Sequence, residues 1–316
     1  MSASEYRAFL GGPYLGERIA ELADTPLVVV DGDDPSLANP GAAPVVVCAL
    51  GSALGGSGPD GADLIVPESA VDTLAERVAA APRAAVTLAV LLRSSEYLPV
   101  EHGLAAESAA YSMLQGSGGF ARWRGDVAPM LAAEETPAVQ VDRSGTTLHI
   151  TLDRPHRHNA ITRQLRDELC AALDVACLDD SINEVRLAGN GPSFCSGGDL
   201  AEFGSRSDPA AAHLTRLAQS PARLIHRLRG HSTVAVHGAT LGGGIEMAAF
   251  AGRVVAHPAT RIGLPEVGLG LIPGAGGTVS LPRRIGRQRT AAIALATDTI
   301  DATTAHRWGL VDAIAD

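Results

Sequence analysis

The chain has 316 residues, a net charge of -10, 46% hydrophobic residues and 19% charged ones. That length and apolar content suit one large or two ordinary compact domains, and the acidic balance argues against nucleic acid as the main partner. All 25 basic residues are arginine, which excludes lysine Schiff-base and P-loop chemistry.

In chain order, "TPLVVVDGDD", "APVVVCALG" and "ADLIVP" read as short strands between Gly, Pro and Asp turns, and "ESAVDTLAERVAAAP" as an amphipathic helix. "RAAVTLAVLLRSSEYL" and "GLAAESAAYSMLQGSGGFARW" continue as helices. The stretch "GDVAPMLAAEETPAVQVDR" has prolines, acidic residues and no clear periodicity, and it places a boundary near 125–138. Beyond it, "TTLHITLDRP" is a strand, "TRQLRDELCAALDVACLDD" a helix, and "NEVRLAGNG" and "STVAVHG" further strands, followed by a helix through "IEMAAFAGR". Strands alternating with helices predict an α/β core, with an N-terminal α/β region at 1–137 and a second part at 138–316. No apolar run reaches the roughly 18 residues of a spanning helix, and "MSASEYRAFLGG" lacks a basic-then-apolar leader, so the expectation is a cytoplasmic protein without a membrane partner. Cys48, Cys170, Cys177 and Cys195 form no C-x-x-C pair and read as structural thiols, and no metal site is expected.

Three glycine-rich stretches carry the chemistry. In "VHGATLGGGIEM", Gly242, Gly243 and Gly244 lie between a strand and a helix, and Glu246 follows. Backbone amides at a helix N-terminus suit an anion, although a tight strand-to-helix crossing that admits only glycine has the same pattern. "GPSFCSGGDLAEF" repeats the arrangement with Gly197 and Gly198 beside Asp199, so two such turns are able to aim two N–H groups at one carbonyl oxygen. In "IGLPEVGLGLIPGAGG", Glu266 stands among apolar residues, where burying a charge is costly. If Glu246 and Glu266 face one cavity, repulsion and desolvation raise at least one pKa and leave one acid and one base near neutrality.

With "ITLDRPHRHNAI", "GPSFCSGGDLAEF", "STVAVHGATLGGGIEMAAFAGRVVAHPATRIGLPEVGLGLIPGAGGTVSLPRRIG" and "LATDTIDATTAHRWGLVDAIAD", residues 138–316 resemble the crotonase, or enoyl-CoA hydratase/isomerase, superfamily. The resemblance implies a spiral of ββα units, a homotrimer or dimer of trimers, and an acyl-CoA substrate with no cofactor beyond the coenzyme A that the substrate carries. It places Gly198 and Gly243 where N–H groups hold the thioester oxygen, and Glu246 and Glu266 at two catalytic glutamates. Glu246 would mainly activate water and Glu266 mainly protonate the α-carbon. It assigns His158, Ala160, Ser196, Gly197, Asp199, Leu200 and Gly242 to substrate binding, while Asp199 reads equally well as a helix cap.

Having both glutamates favours hydration of a 2-enoyl-CoA. The alternatives are an isomerase, another CoA-thioester enzyme of this type, or a catalytically silent binding subunit. The sequence also departs from the family's pattern. Ala201 stands where many relatives have lysine, so arginine or histidine, including His156, Arg157 and His158, would meet the CoA phosphates. His237 replaces a common asparagine and reads as structural. Relatives continue after "GLVD" with helices that roof the CoA site, whereas residues 63–124 resemble that terminal region. The expectation is a circularly permuted roof; the alternative is an unrelated N-terminal domain.

Overall fold

The computed structural model describes residues 2–11, 25–32, 37–125, 136–205 and 207–315. The first three strands, β1 (Leu27–Val30), β2 (Val46–Leu50) and β3 (Leu64–Val66), form a parallel sheet in that order. Their alternation sends Val47, Ala49 and Ile65 toward Tyr6 and Phe9, while Val46, Cys48, Leu64 and Val66 face the main core. A sheet covered on both faces accounts for the unbroken Val and Leu runs of the sequence.

Helices Val71–Ala80, Pro82–Ser95, Val100–Gln115 and Gly118–Gly125 follow. Pro82 opens the second of them, where its missing N–H costs nothing. This helix is pinned to the sheet by buried Arg93, whose Nε and Nη2 donate to Asp63 at 2.8 and 2.6 Å and whose Nη2 also reaches the Val45 carbonyl. Asp63 in turn accepts the Val47 N–H, so the ion pair is hydrogen-bonded into the sheet on both sides.

Strand β4 (Val139–Ser144) pairs antiparallel with β5 (Thr147–Leu152). Helix Arg163–Leu178 comes next, with Thr162 Oγ1 accepting the Leu165 N–H at its start. The chain then builds two ladders at once. Strands β6 (Glu184–Gly189), β7 (Ser232–Val236), β9 (Arg253–Ala256) and β12 (Ala313–Ile314) extend the first into a six-stranded sheet of order β12-β9-β7-β6-β5-β4. Strands β8 (Ala239–Leu241), β10 (Arg261–Gly263) and β11 (Ile300–Asp301) form the second, of order β11-β10-β8. Consecutive strands β7 and β8 enter different sheets, and so do β9 and β10. These two turns therefore lay one strand on each ladder before the helix that follows, as the expected ββα spiral does. The bridges Cys195 to Thr240 and Ile161 to Gly198 carry the second ladder back through earlier turns.

The helix expected through "IEMAAFAGR" is shorter, Gly243–Ala248, because β9 begins at Arg253. The helical run Gly277–Leu295 is interrupted at Gly286, whose φ of 79° and ψ of 157° are not helical. Most of the expected boundary at 125–138 lies outside the described residues. On either side of it the core is continuous, because Leu74, Leu88 and Leu114 join the same buried cluster as Ile150, Val234 and Ile293. Polar contacts follow the same path. Arg287 donates to the Ala62 carbonyl at 2.8 Å, and Gln288 to that of Pro59 at 2.8 Å. Among the described residues no single helix is long and apolar enough to cross a membrane.

Candidate active site

The triple glycine lies where the second ladder meets helix Gly243–Ala248. Gly242 has φ 45°, which side-chain-bearing residues rarely adopt, and a Cβ there would meet Glu266 Oε1 at 2.2 Å. At Gly244 a Cβ would stand 2.4 Å from the Cys195 carbonyl oxygen. The glycines thus let one turn touch both the carboxylate behind it and the neighbouring strand, so the crossing reading and the functional one describe the same geometry.

The two glycine turns lie side by side, since a Cβ on Gly197 would come 3.1 Å from the Leu241 carbonyl oxygen and 3.6 Å from the Gly243 nitrogen. Ladder bonds occupy the flanking amides. Asp199 N–H donates to the Ile161 carbonyl at 3.0 Å, and Gly242 N–H to that of Gly263 at 2.9 Å. Between them, the N–H groups of Gly198 and Gly243 donate to no backbone carbonyl among the described residues, and both glycines line a cavity of about 260 Å³.

Glu246 and Glu266 line the same cavity and are almost wholly buried, 1% and 7% exposed. Glu246 Oε2 accepts the N–H groups of Ala275 at 2.7 Å and Gly277 at 2.8 Å, and Ser280 Oγ donates to its carbonyl at 2.8 Å. Glu266 rides on the short 3-10 turn Pro265–Leu269, and its Oε2 is buried without a hydrogen-bond partner among the described residues. Burial raises both carboxyls, Glu266 to about 7, and the charge of Glu266 pushes Glu246 well up as well. Each carboxyl acts on the other's ionisation, so the two are linked, with burial holding both above the ordinary carboxylate range.

Asp199 lines the cavity and also caps the turn Leu200–Glu202, its Oδ1 accepting the Ala201 N–H at 3.1 Å. Arg154 and Arg157 each approach it at 3.7 Å. The other residues assigned to substrate binding, His158, Ala160, Ser196, Gly197, Leu200 and Gly242, are not among the cavity walls. His158 Nδ1 meets Ser193 Oγ at 2.9 Å, Ala160 offers its carbonyl to Arg154, Ser196 N–H donates to the His158 carbonyl, and Leu200 is exposed. His237 is held by the Gly191 carbonyl at 2.9 Å, consistent with a structural histidine.

Three wall residues that the motifs do not reveal come from elsewhere. Glu107 and Tyr111 lie on helix Val100–Gln115, and Arg216 on helix Pro209–Ala218. Glu107 Oε1 accepts the Gly276 N–H at 2.7 Å. Its Oε2 accepts the N–H and hydroxyl of Thr278 at 2.8 and 2.7 Å. Successive amides from 275 to 278 thus alternate between Glu246 and Glu107, and the loop is held between two carboxyls. Burial, with the charge of Glu246 adding to it, raises Glu107 to about 8.

A family model described as enoyl-CoA hydratase/isomerase matches residues 142–316. The chain is 36% identical to the enoyl-CoA isomerase/hydratase of Mycosarcoma maydis over 53% of its own length and 64% of that protein. It is 37% identical to the 2,3-dehydroadipyl-CoA hydratase of Escherichia coli over 54% of its length and 66% of the relative. The matched segment spans just under two thirds of these curated relatives. Among solved structures, an enoyl-CoA hydratase from Thermoplasma volcanium superposes with a TM-score of 0.53 at 31% identity, covering 58% of this chain and 73% of its own. An enoyl-CoA hydratase/isomerase from Mycobacterium abscessus, so described provisionally, gives 0.53 at 36%, covering 57% and 71%. The family match takes in more than half of the residues and the α/β spiral is that of the solved crotonase-type neighbours, so the chain belongs to the enoyl-CoA hydratase/isomerase family.

Proposed function

We propose that the protein is an enoyl-CoA hydratase, adding water across the 2,3 double bond of an enoyl-CoA thioester. The observation that carries this reading is the meeting, in one cavity, of two linked buried carboxyls with two N–H groups that no backbone carbonyl among the described residues takes up. The thioester oxygen would accept from Gly198 and Gly243, an oxyanion hole in which each donor contributes about 3 kcal/mol as negative charge gathers on the oxygen. Polarisation makes the β-carbon electrophilic. Glu246, whose Oε2 is steadied by two backbone donors, takes a proton from water as the water oxygen bonds to the β-carbon. Glu266 then supplies a proton to the α-carbon. The proton it gives is the one the linked pair shares, and the two backbone donors on Glu246 favour leaving that proton on Glu266. Two proton transfers on one face need two carboxyls, whereas moving a double bond needs only one group that shuttles a single proton. The reaction takes no cofactor beyond the coenzyme A of the substrate. The helices between 71 and 125 would stand in for the third of the relatives that the match leaves out, as a circularly permuted roof, and a homotrimer or dimer of trimers is proposed with it.

Glu246→Gln and Glu266→Gln are each expected to lower kcat by at least about 100-fold with little change in CoA-ester affinity. Steady-state hydration kinetics with calorimetric binding checks this, and wild-type turnover in either variant refutes the mechanism.

A further inference from the structure

Arg216 is the cavity residue that hydration leaves without a task. Its guanidinium is half-buried over the Tyr111 ring, 4.7 Å from the ring centre. All of its hydrogen-bond acceptors among the described residues are neutral. Nε donates to Ser108 Oγ at 3.0 Å, Nη2 to Ser112 Oγ and, at 3.4 Å, to the Ser108 carbonyl, and Nη1 reaches Gln115 Oε1 at 3.4 Å. No carboxylate lies within ion-pair distance among the described residues, and burial lowers its pKa.

The other arginines of the cavity are accounted for. Arg163 approaches Glu202 at 3.8 Å, Arg166 pairs with Asp167 at 2.7 Å, and Arg223 sits on the Leu217 and Ala218 carbonyls, at the negative end of helix Pro209–Ala218. The Glu107 carboxyl also acts on Arg216, but it is engaged by Gly276 and Thr278 and burial raises it to about 8. His213 shares Ser108 Oγ with Arg216 at 2.9 Å and adds no negative charge.

A half-buried cation with only neutral partners gains most from an anion brought in by a ligand, because guanidinium pairs with carboxylate in a two-point geometry. The direction from which that anion arrives follows from the proposed chemistry. Glu246 and Glu266 act on the α- and β-carbons, so they mark the acyl side of the thioester. The Tyr111 ring beneath Arg216 also packs against Gly274, next to Ala275, whose N–H donates to Glu246 Oε2 at 2.7 Å, so Arg216 stands on the glutamates' side of the cavity rather than out along coenzyme A. We propose that Arg216, with Ser108 and Ser112, forms an anion subsite for a carboxylate at the far end of the acyl group, so that the preferred substrate is an ω-carboxyl enoyl-CoA. This rests on the hydratase reading for its orientation.

The test is equilibrium binding, which needs no turnover. Saturated acyl-CoA esters ending in methyl or in carboxylate, each of four, six and eight carbons, are titrated calorimetrically against the wild type, Arg216→Lys and Arg216→Met. The wild type is expected to bind the carboxylate ester of the fitting length at least about tenfold more tightly than its methyl counterpart. Arg216→Met should abolish that preference while leaving methyl esters unchanged, and Arg216→Lys should keep part of it. Equal binding at every length overturns the subsite, as does a preference that survives Arg216→Met. A loss common to both ester types and to free coenzyme A would assign Arg216 to a coenzyme phosphate and overturn it too. The wild-type comparison decides even if a variant fails to fold. If the preference is found but no enoyl ester is hydrated, the hydratase reading falls and the subsite stands; hydration without the preference has the opposite meaning.

Discussion

Glu246 and Glu266 were legible from sequence because a carboxylate among Gly, Pro and Leu is expensive to bury without a purpose, and the fold does bury both in one cavity. Glu107 was not legible. It sits in an ordinary alanine-rich helix, and its acceptor role depends on amides 169 and 171 positions away that only tertiary packing brings near. Arg216 was hidden for the same reason, since nothing local distinguishes it from other arginines of a helix. The linked pair also has a consequence for pH. Both carboxyls are raised, so at low pH the pair carries two protons, over an intermediate range one, and at high pH none. The proposed addition of water needs the singly protonated form. On the hydratase proposal kcat/KM is therefore expected to rise with pH above the ordinary carboxylate range as the first proton leaves the pair, and to fall again at higher pH as the second does. A pH–rate profile checks this, and full activity maintained down to pH values near an ordinary carboxylate pKa of about 4 would contradict it.

At the scale of elements, runs rich in Val, Leu and Ile announced β1, β2, β3, β5, β6 and β7, because buried strands need them. Strand β4 was missed, since after Val139 its residues are exposed and it pairs only with β5 at the sheet edge, leaving no apolar pattern to read. Helix Gly243–Ala248 was overextended because every residue in it is buried, so no periodicity marks its end. The loop from 274 to 278 owes its shape to the carboxyls on its two sides. Glu107→Ala removes the acceptor for two backbone N–H groups and one hydroxyl, a loss of about 3 kcal/mol in unfolding free energy. Slackening the loop that holds Glu246 should also lower kcat by about tenfold or more, with KM little changed. Urea denaturation and kinetics on one preparation measure both, and an unchanged kcat would show that Glu107 stabilises the fold without positioning Glu246.

Across the whole molecule, the two parts suggested by the sequence share one core, and the site takes residues from both: Glu107 and Tyr111 before the expected boundary, and the glycine turns, the paired glutamates and Arg216 after it. The spiral was foreseeable because its motifs are local, while the joining of the parts rests on contacts such as Gln288 with Pro59, which no short-range pattern encodes. A fragment of 138–316 would expose the apolar surfaces that helices Pro82–Ser95 and Val100–Gln115 cover, and it is expected to aggregate. The most direct measurement is mass analysis of the product formed from enoyl-CoA esters, methyl- and carboxylate-terminated, in water enriched in heavy oxygen, with the intact chain and with that fragment. The intact chain should yield a 3-hydroxyacyl-CoA carrying one heavy oxygen, and the fragment none. An intact chain that leaves every ester untouched, or shifts the double bond without taking up oxygen, would contradict the account, as would a fragment as active as the whole.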